Sequence, residues 1–297
     1  MANDKSQPEV TAPDSADGTA PESERQVYTP TLSPKEFAQT VSVLGIRKAN
    51  TRSWQLFILA LLAGLYISFG GHAYLVCIEQ GMGRIVGGMA FSVGLVLVVV
   101  AGAELFTGNV IMIVGAMTLL FPWRRVFKNW ATVYAGNFVG SILFAWLIWK
   151  SGLLGMPGAL NGLGQKAVSV AEGKLALPFA ACFIRGMFCN MLVVLAIIMA
   201  TMSKDVISKI VCCMMPVAVF VACGFEHCVA NMYLIPVGLL AKGMPLFQQG
   251  DIFHNLLPVT LGNIVGGVLI LVIHPNRIRQ LIHLWQNRTR YRDVIPH

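Results

Sequence analysis

Six long apolar stretches are the feature of this sequence that most constrains its fold. They cover about residues 54–78, 85–120, 126–149, 176–202, 208–241 and 253–274. A helix needs about 20 apolar residues to cross a bilayer. The chain is 56% hydrophobic and only 12% charged, against roughly 25% charged residues in soluble domains. These features predict an all-α integral membrane protein with six spans.

The second and fifth stretches are too long for one straight span. Each contains a Gly-x-Glu-x4-Asn motif, formed by Gly102, Glu104 and Asn109 in one stretch and by Gly224, Glu226 and Asn231 in the other. Carboxylates are costly in lipid and usually line a bundle interior or a water path. We therefore predict two broken helices with non-helical backbone at membrane depth. Pro216 and Pro236 are expected to add breaks to the fifth stretch.

The two motifs belong to a longer internal repeat. The segment Gly136-Asn137-Phe-Val-Gly140 matches Gly262-Asn263-Ile-Val-Gly266, and the step from Gly64 to Gly102 equals the step from Gly186 to Gly224. The repeats span about residues 54–150 and 176–275. Three spans per repeat are an odd number of crossings, so the second copy is predicted to be inverted relative to the first.

The ends of the chain differ in composition from the apolar core. Residues 1–30 are polar and predict a disordered cytoplasmic tail. Ser33, Pro34 and Glu36 predict the start of an amphipathic helix over residues 31–50, lying at the membrane surface. A six-span domain over residues 51–276 and a basic cytoplasmic tail over 277–297 follow. The Gly-rich residues 151–171 are expected to form an extramembrane loop.

The basic residues lie mainly at the ends of the apolar stretches. A cytoplasmic N-terminus places most of them inside, so both termini are predicted to be cytoplasmic. Their scatter also argues against nucleic-acid binding. The seven cysteines lie in or beside apolar stretches and show no zinc or disulfide spacing. We expect no metal and no cofactor.

Three segments resemble the signatures of the formate/nitrite transporter family. They are Ala101–Gly108, Gly186–Val193 and Gly224–His227 with Ala230–Met232, and the resemblance extends over about residues 35–275. It implies an aquaporin-like six-helix protomer, a homopentamer with one pore per protomer, and permeation of a small monovalent anion such as formate, nitrite or hydrosulfide. Such a protein is expected in the cytoplasmic (inner) membrane of a prokaryote.

The resemblance also implies roles for individual residues. His227 resembles the central pore histidine of the family, and Thr107 the threonine that can hydrogen-bond it. The residues that resemble the apolar constrictions of the family are Phe91, Leu95, Leu105, Val193 and Phe220. Lys174, Asn190 and Glu226 resemble polar positions around the pore. The family implies no role for Arg185, which leaves an acid partner, an outward orientation or a neighbouring protomer open.

The expected chemistry follows from the cost of dehydrating a charge. Moving an anion into a dry constriction costs several kcal/mol of hydration free energy, whereas its neutral acid crosses more easily. Lys174 is the candidate to attract the anion, which would take up a proton where the dielectric falls. His227 either donates that proton or donates a hydrogen bond while neutral. Glu226 either accepts backbone N–H groups at the break or tunes His227.

Two other classes of function are weighed against an anion transporter. An aquaporin-like pore for neutral solutes would also have six spans and two breaks, but this sequence lacks an Asn-Pro-Ala repeat and has a glutamate in each break. A membrane enzyme or haem protein would need metal or nucleophile motifs, which are not found, so no enzyme activity is expected. Leu105 is the repeat counterpart of His227, and that difference marks His227 as the best functional candidate.

Overall fold

The computed structural model describes residues 31–32, 34–156, 158–244 and 251–273, together with the isolated positions 282 and 286. The helices are α1 (Pro34–Asn50), α2 (Ser53–Glu79), α3 (Gly83–Phe91), α4 (Val93–Ala101), α5 (Met112–Met117), α6 (Trp123–Lys150), α7 (Gly162–Leu175), α8 (Phe179–Met202), α9 (Val206–Ala222), α10 (Cys228–Ala241) and α11 (Asp251–Ile273). A two-stranded hairpin, β1 (Gly155–Met156) and β2 (Ala159–Leu160), precedes α7.

The six apolar stretches all form helices, as predicted. In the described residues, α2, α6, α8, α11 and the joined pair α3–α4 are long and apolar enough to cross a membrane. The α3–α4 pair continues through Ser92, whose backbone is helical and whose N–H donates to the Gly88 carbonyl at 3.1 Å. The fifth stretch is divided between α9 and α10. The all-α membrane fold is therefore confirmed.

Both predicted breaks occur at the glycine of the motif. Gly102 and Gly224 have φ angles of 82° and 71°, a left-handed conformation that glycine adopts without a Cβ clash. The next residue then bonds back into the helix: Ala103 N–H donates to Val98 and Phe225 N–H donates to Phe220, each at 3.0 Å. The first break leads into a 3-10 turn (Gly108–Ile111) and α5, and the second into α10.

The predicted breaks at Pro216 and Pro236 are wrong. Pro216 lies inside α9 and Pro236 inside α10, and both helices continue through them. A proline removes one backbone donor from a helix. Both prolines are buried, and the surrounding packing holds each helix together across the missing bond.

The two halves pack by equivalent close contacts. In the first half α2 packs along α6, and in the second α8 packs along α11. A Cβ on Gly140 would collide with the Leu61 carbonyl oxygen, and a Cβ on Gly266 would collide with that of Met187. The matched positions in these helices are therefore 126 residues apart.

This register corrects one predicted match. The predicted equivalence of Gly64 and Gly186 is wrong, because the 126-residue offset pairs Gly186 with Ala60. The side chain of Asn137 donates to the Ala60 carbonyl, and that of Asn263 donates to the Gly186 carbonyl, each at 2.7 Å. The equal spacing of the two glycines was a coincidence among small residues.

Residues 151–171 are not simply a loop, contrary to expectation. They contain the hairpin and most of α7, which begins after Asn161, whose side chain accepts from the Gly164 N–H at 2.9 Å. The glycines of this segment suggested a loop, but this N-cap and the helix-forming residues that follow start a helix. The Ala167 carbonyl of α7 lies against Gly238 of α10, and the last turn of α7 contains Lys174.

A side-chain cap also starts α9. The Asp205 carboxylate accepts from the Ser208 N–H at 2.8 Å, and this hydrogen bond lowers the pKa of Asp205. At the other end of the chain, α1 begins at Pro34, as expected, and buries Val41, Ser42 and Ile46 against the bundle. The predicted tails, residues 1–30 and 277–297, lie outside the described residues apart from positions 282 and 286.

Candidate pore and its two cavities

One cavity lies beside each break. The larger, here called the Lys174 cavity, has a volume of about 370 Å³ and includes Glu226 and His227 in its lining. The smaller, here called the Lys48 cavity, has a volume of about 150 Å³ and includes Glu104 and Leu105. The two cavities share no lining residue. The protein that lies between them is here called the packed region.

His227 and Thr107 meet in the packed region and link the two breaks. Thr107 Oγ1 lies 2.9 Å from His227 Nε2, and both residues are buried. His227 is also the N-cap of α10, where its Nδ1 accepts from the Ala230 N–H at 3.1 Å. Because Nδ1 is an acceptor, the neutral ring carries its hydrogen on Nε2 and donates it to Thr107.

This arrangement favours a neutral imidazole. A proton on Nδ1 would replace the acceptor that caps α10 with a second donor facing the Ala230 N–H. It would also place a positive charge at the N-terminus of α10, where the helix dipole is unfavourable to cations. His227 is therefore arranged as a hydrogen-bond donor to Thr107.

Aromatic rings flank His227 in the larger cavity. The Phe220 ring stacks on the imidazole, with centroids 5.9 Å apart and planes 13° apart. Phe91 meets Phe220 edge-on at 5.8 Å, and both rings line the Lys174 cavity. Leu105 lines the Lys48 cavity. Leu95 and Val193 are buried but line neither cavity.

The carboxylate of the second break is held by side chains of other helices. Lys174 Nζ lies 3.0 and 2.9 Å from the two oxygens of Glu226. Asn231 donates to the same carboxylate at 2.7 Å and to Asn255 Oδ1 at 2.7 Å. Asn255 in turn donates to the Lys174 carbonyl at 2.9 Å. These hydrogen bonds form a ring that closes through the Lys174 backbone.

The first break has a matching network. Lys48 Nζ lies 2.7 Å from Glu104 and 2.9 Å from Asn109 Oδ1. Asn109 donates to Glu104 and to Asn129, each at 2.8 Å, and Asn129 donates to the Lys48 carbonyl at 3.2 Å. Neither glutamate side chain accepts a described backbone N–H, so the first of the two roles considered for Glu226 is wrong.

Asparagines from α6 and α11 hold the backbone of the breaks. Asn137 Oδ1 accepts from the Phe106 N–H, and Asn263 Oδ1 accepts from the Cys228 N–H, each at 2.9 Å. Their amide groups donate to the Glu104 and Glu226 carbonyls, each at 3.0 Å. The non-helical backbone is thereby satisfied inside the protein, as a membrane interior requires.

Asn190 supports the same region from α8. Its amide donates to the Asn263 carbonyl at 2.7 Å and to the Thr107 carbonyl at 3.3 Å. The side chain is fully buried and does not line either cavity. Asn190 thus positions the segment that carries Thr107.

Sequence reasoning did not assign Lys48, Asn129 or Asn255 to the site. In the sequence, Lys48 precedes the first apolar stretch, where a basic residue is equally expected at a lipid boundary. One signal was available: Lys48 and Lys174, like Asn129 and Asn255, are 126 residues apart, the same offset as the matched glycines of α6 and α11. Within the described part of the chain, no three histidine, cysteine or acidic side chains are grouped to hold a metal ion.

Arg185 lies in the wall of the Lys174 cavity. Its carbonyl accepts from the Glu226 N–H at 3.3 Å, and the equivalent Leu59 carbonyl accepts from the Glu104 N–H at 3.2 Å. The backbone contact is therefore shared by both halves. The arginine side chain is a feature of the second half alone.

Comparison with known proteins identifies a family and several relatives that are similar to this chain. The family model described as "Formate/nitrite transporter" matches residues 35–275. The formate channel FocA of Escherichia coli K12 is 34% identical over 263 residues, covering 81% of this chain and 92% of FocA. A probable formate transporter of Methanothermobacter thermautotrophicus is 38% identical over 259 residues, covering 80% and 94%.

Solved structures show the same similarity. A pentameric formate channel with formate bound matches with a TM-score of 0.64 and 32% identity, over 78% of this chain and 98% of that one. An FNT family ion channel matches with a TM-score of 0.69 and 29% identity, over 80% and 94%.

Proposed function

Because this chain belongs to the formate/nitrite transporter family, we propose that it carries formate across a bacterial inner membrane, with one pore in each protomer of a homopentamer. Among the other candidate substrates, we rank nitrite second and hydrosulfide third. The observation that carries the proposal is the buried Thr107–His227 pair between two cavities that each contain a lysine and a glutamate. Relatives named as formate channels or transporters support the same activity and give no reason to propose an enzyme.

The substrate crosses the packed region as the neutral acid. Phe91, Phe220 and Leu105 place apolar surface near the Thr107–His227 pair, and dehydrating an anion costs several kcal/mol. The formate anion first collects in a cavity and, where the dielectric falls, takes up a proton from a hydronium ion of the adjoining bulk solution, which leaves water. Proton and anion then move together, so flux is coupled to the pH gradient.

His227 acts in this scheme as a hydrogen-bond donor. A neutral imidazole with its hydrogen on Nε2 has no proton to release at ordinary pH. Thr107 accepts that hydrogen and retains its own hydroxyl proton, which it can donate to a carboxyl oxygen of the substrate. The pair thus offers one polar contact in an otherwise apolar passage.

Uptake of labelled formate into proteoliposomes tests the proposal. We expect uptake to be faster when the external solution is more acidic than the lumen, and to be reduced by nitrite more than by acetate or lactate. Glycerol uptake measured in the same vesicles is the control for a neutral-solute pore. Absence of formate, nitrite and hydrosulfide uptake under every pH gradient would refute the proposal.

A further inference from the structure

The ion pair between Lys174 and Glu226 argues against Lys174 as the source of long-range attraction for anions. Lys174 holds both oxygens of Glu226, and the two side chains are only 15% and 6% exposed. A close pair of opposite charges has little net field at a distance. Lys174 is therefore a poor source of long-range attraction, although the sequence suggested that role.

Three other cations line the same cavity. Arg84, Lys166 and Arg185 come from α3, α7 and α8. No acidic side chain within the described ranges lies within 4.0 Å of any of them. With Lys174 and Glu226, the Lys174 cavity has four cations against one carboxylate, a net charge of +3.

The position of the two arginines favours a role in the cavity. Arg185 is the seventh residue of α8, about 9 Å along the helix from its start. Ionisable residues at such depth usually face a water-filled cavity. Arg84 Nη1 lies 3.6 Å from the position that a Cβ on Gly224 would occupy, so its guanidinium lies beside the second break.

The Lys48 cavity lacks this excess of charge. It is lined by Arg47, Lys48 and Glu104, a net charge of +1. Since each polar network contains one lysine and one glutamate, the additional cations are the main difference in charge between the cavities. A cleft lined by one sign of charge raises the local concentration of the opposite ion.

We propose that Arg84, Lys166 and Arg185 form an anion-capture site, so that uptake from the Lys174 side saturates at a lower concentration of small monovalent anion than uptake from the Lys48 side. This inference rests on the proposed anion transport. The predicted topology places the Lys174 cavity on the outer side of the membrane. Capture there would favour import at low external concentration.

The test uses labelled formate uptake into right-side-out and inverted membrane vesicles containing the full chain. The variants are Arg84→Gln, Lys166→Gln and Arg185→Gln, singly and together. Arg185→Lys conserves the charge. Arg47→Gln changes the other cavity, and Lys242→Gln removes a cation outside both cavities, which pairs with Glu172. Pentamer content is measured for each variant by size-exclusion chromatography.

We expect each neutralisation to raise the half-saturation from the Lys174 side about twofold at low ionic strength, and the triple variant about eightfold, for charges roughly 8 Å from the ion in water. The effect should nearly vanish at about 1 M salt. Arg185→Lys and Lys242→Gln should match the wild type on this side. Arg47→Gln should affect only the Lys48 side.

Two results would overturn the inference. One is an unchanged half-saturation in a pentameric triple variant, and the other is an equal rise from both sides. In either case, continued formate uptake would leave the proposed function intact. A wild-type protein without formate, nitrite or hydrosulfide uptake would instead refute the proposed function, and the capture site with it.

Discussion

At the scale of single residues, the two breaks differ most in the segment that follows the glutamate. Leu105 and Thr107 in the first half correspond to His227 and Val229 in the second. Each half therefore contributes one polar residue to the Thr107–His227 hydrogen bond. The pair that defines the site exists because the repeats have diverged at these positions.

His227 has two separable roles, and two substitutions divide them. His227→Phe removes both the donor to Thr107 and the cap of α10, whereas His227→Asn keeps a good N-cap residue without the imidazole. We expect both variants to lose at least about fivefold in formate flux, since a buried polar group without its partner costs about 1–3 kcal/mol. His227→Asn should retain the thermal stability of the pentamer better than His227→Phe.

Flux is measured as labelled formate uptake in proteoliposomes, and stability as the melting temperature in detergent. Thr107→Ser is the matched control because it keeps a hydroxyl at the partner position. Wild-type flux in the His227→Asn variant, with the usual dependence on the pH gradient, would show that the imidazole is not needed for transport.

At the scale of elements, each lysine ties the end of a helix, α1 or α7, to a break. Lys48 lies in the last turn of α1 and Lys174 in the last turn of α7. A cation suits the C-terminal end of a helix, and each lysine also neutralises the glutamate of a break. The ion pairs therefore couple the position of α1 or α7 to the pore.

Removal of one partner should destabilise the protein more than removal of both. Breaking a buried ion pair costs about 3–5 kcal/mol, and we expect the lower end for Lys174→Met because the lysine retains 15% exposure. Glu226→Gln should have a similar cost. The double variant should be more stable than the sum of the single effects predicts.

The measurement is the melting temperature of the pentamer for the two single variants and the double variant. The Lys242–Glu172 pair is the matched control: its side chains are 49% and 54% exposed, and such surface pairs contribute about 0–1 kcal/mol. Strictly additive losses at Lys174 and Glu226 would contradict a coupled pair.

The sequence predicts the elements better than it predicts their contacts. Hydrophobic length locates the six spans, and the Gly-x-Glu-x4-Asn motif locates both breaks, because a glycine conformation and a buried carboxylate are local features. Lys48 is missed because its partner Glu104 is 56 residues away and a lysine at a helix end also suits a lipid boundary. Helix α7 is missed because glycines dominate the composition of its segment.

At the scale of the whole molecule, one chain supplies both breaks and the linings of both cavities. The Thr107–His227 hydrogen bond joins the two halves, and each half supplies one break. We therefore expect each protomer to contain its own pore. In a homopentamer, the five pores should therefore work independently.

Mixed pentamers test this independence. Wild-type and His227→Phe chains with different affinity tags are expressed together at known ratios, and two successive affinity steps confirm mixing. With half of the chains wild type, independent pores should retain about half of the formate flux, whereas a single pore needing all five subunits would retain about one thirtieth. The flux measured over several ratios should fall on a straight line. A steep, strongly curved dependence would place the transport path, or an essential part of it, between protomers.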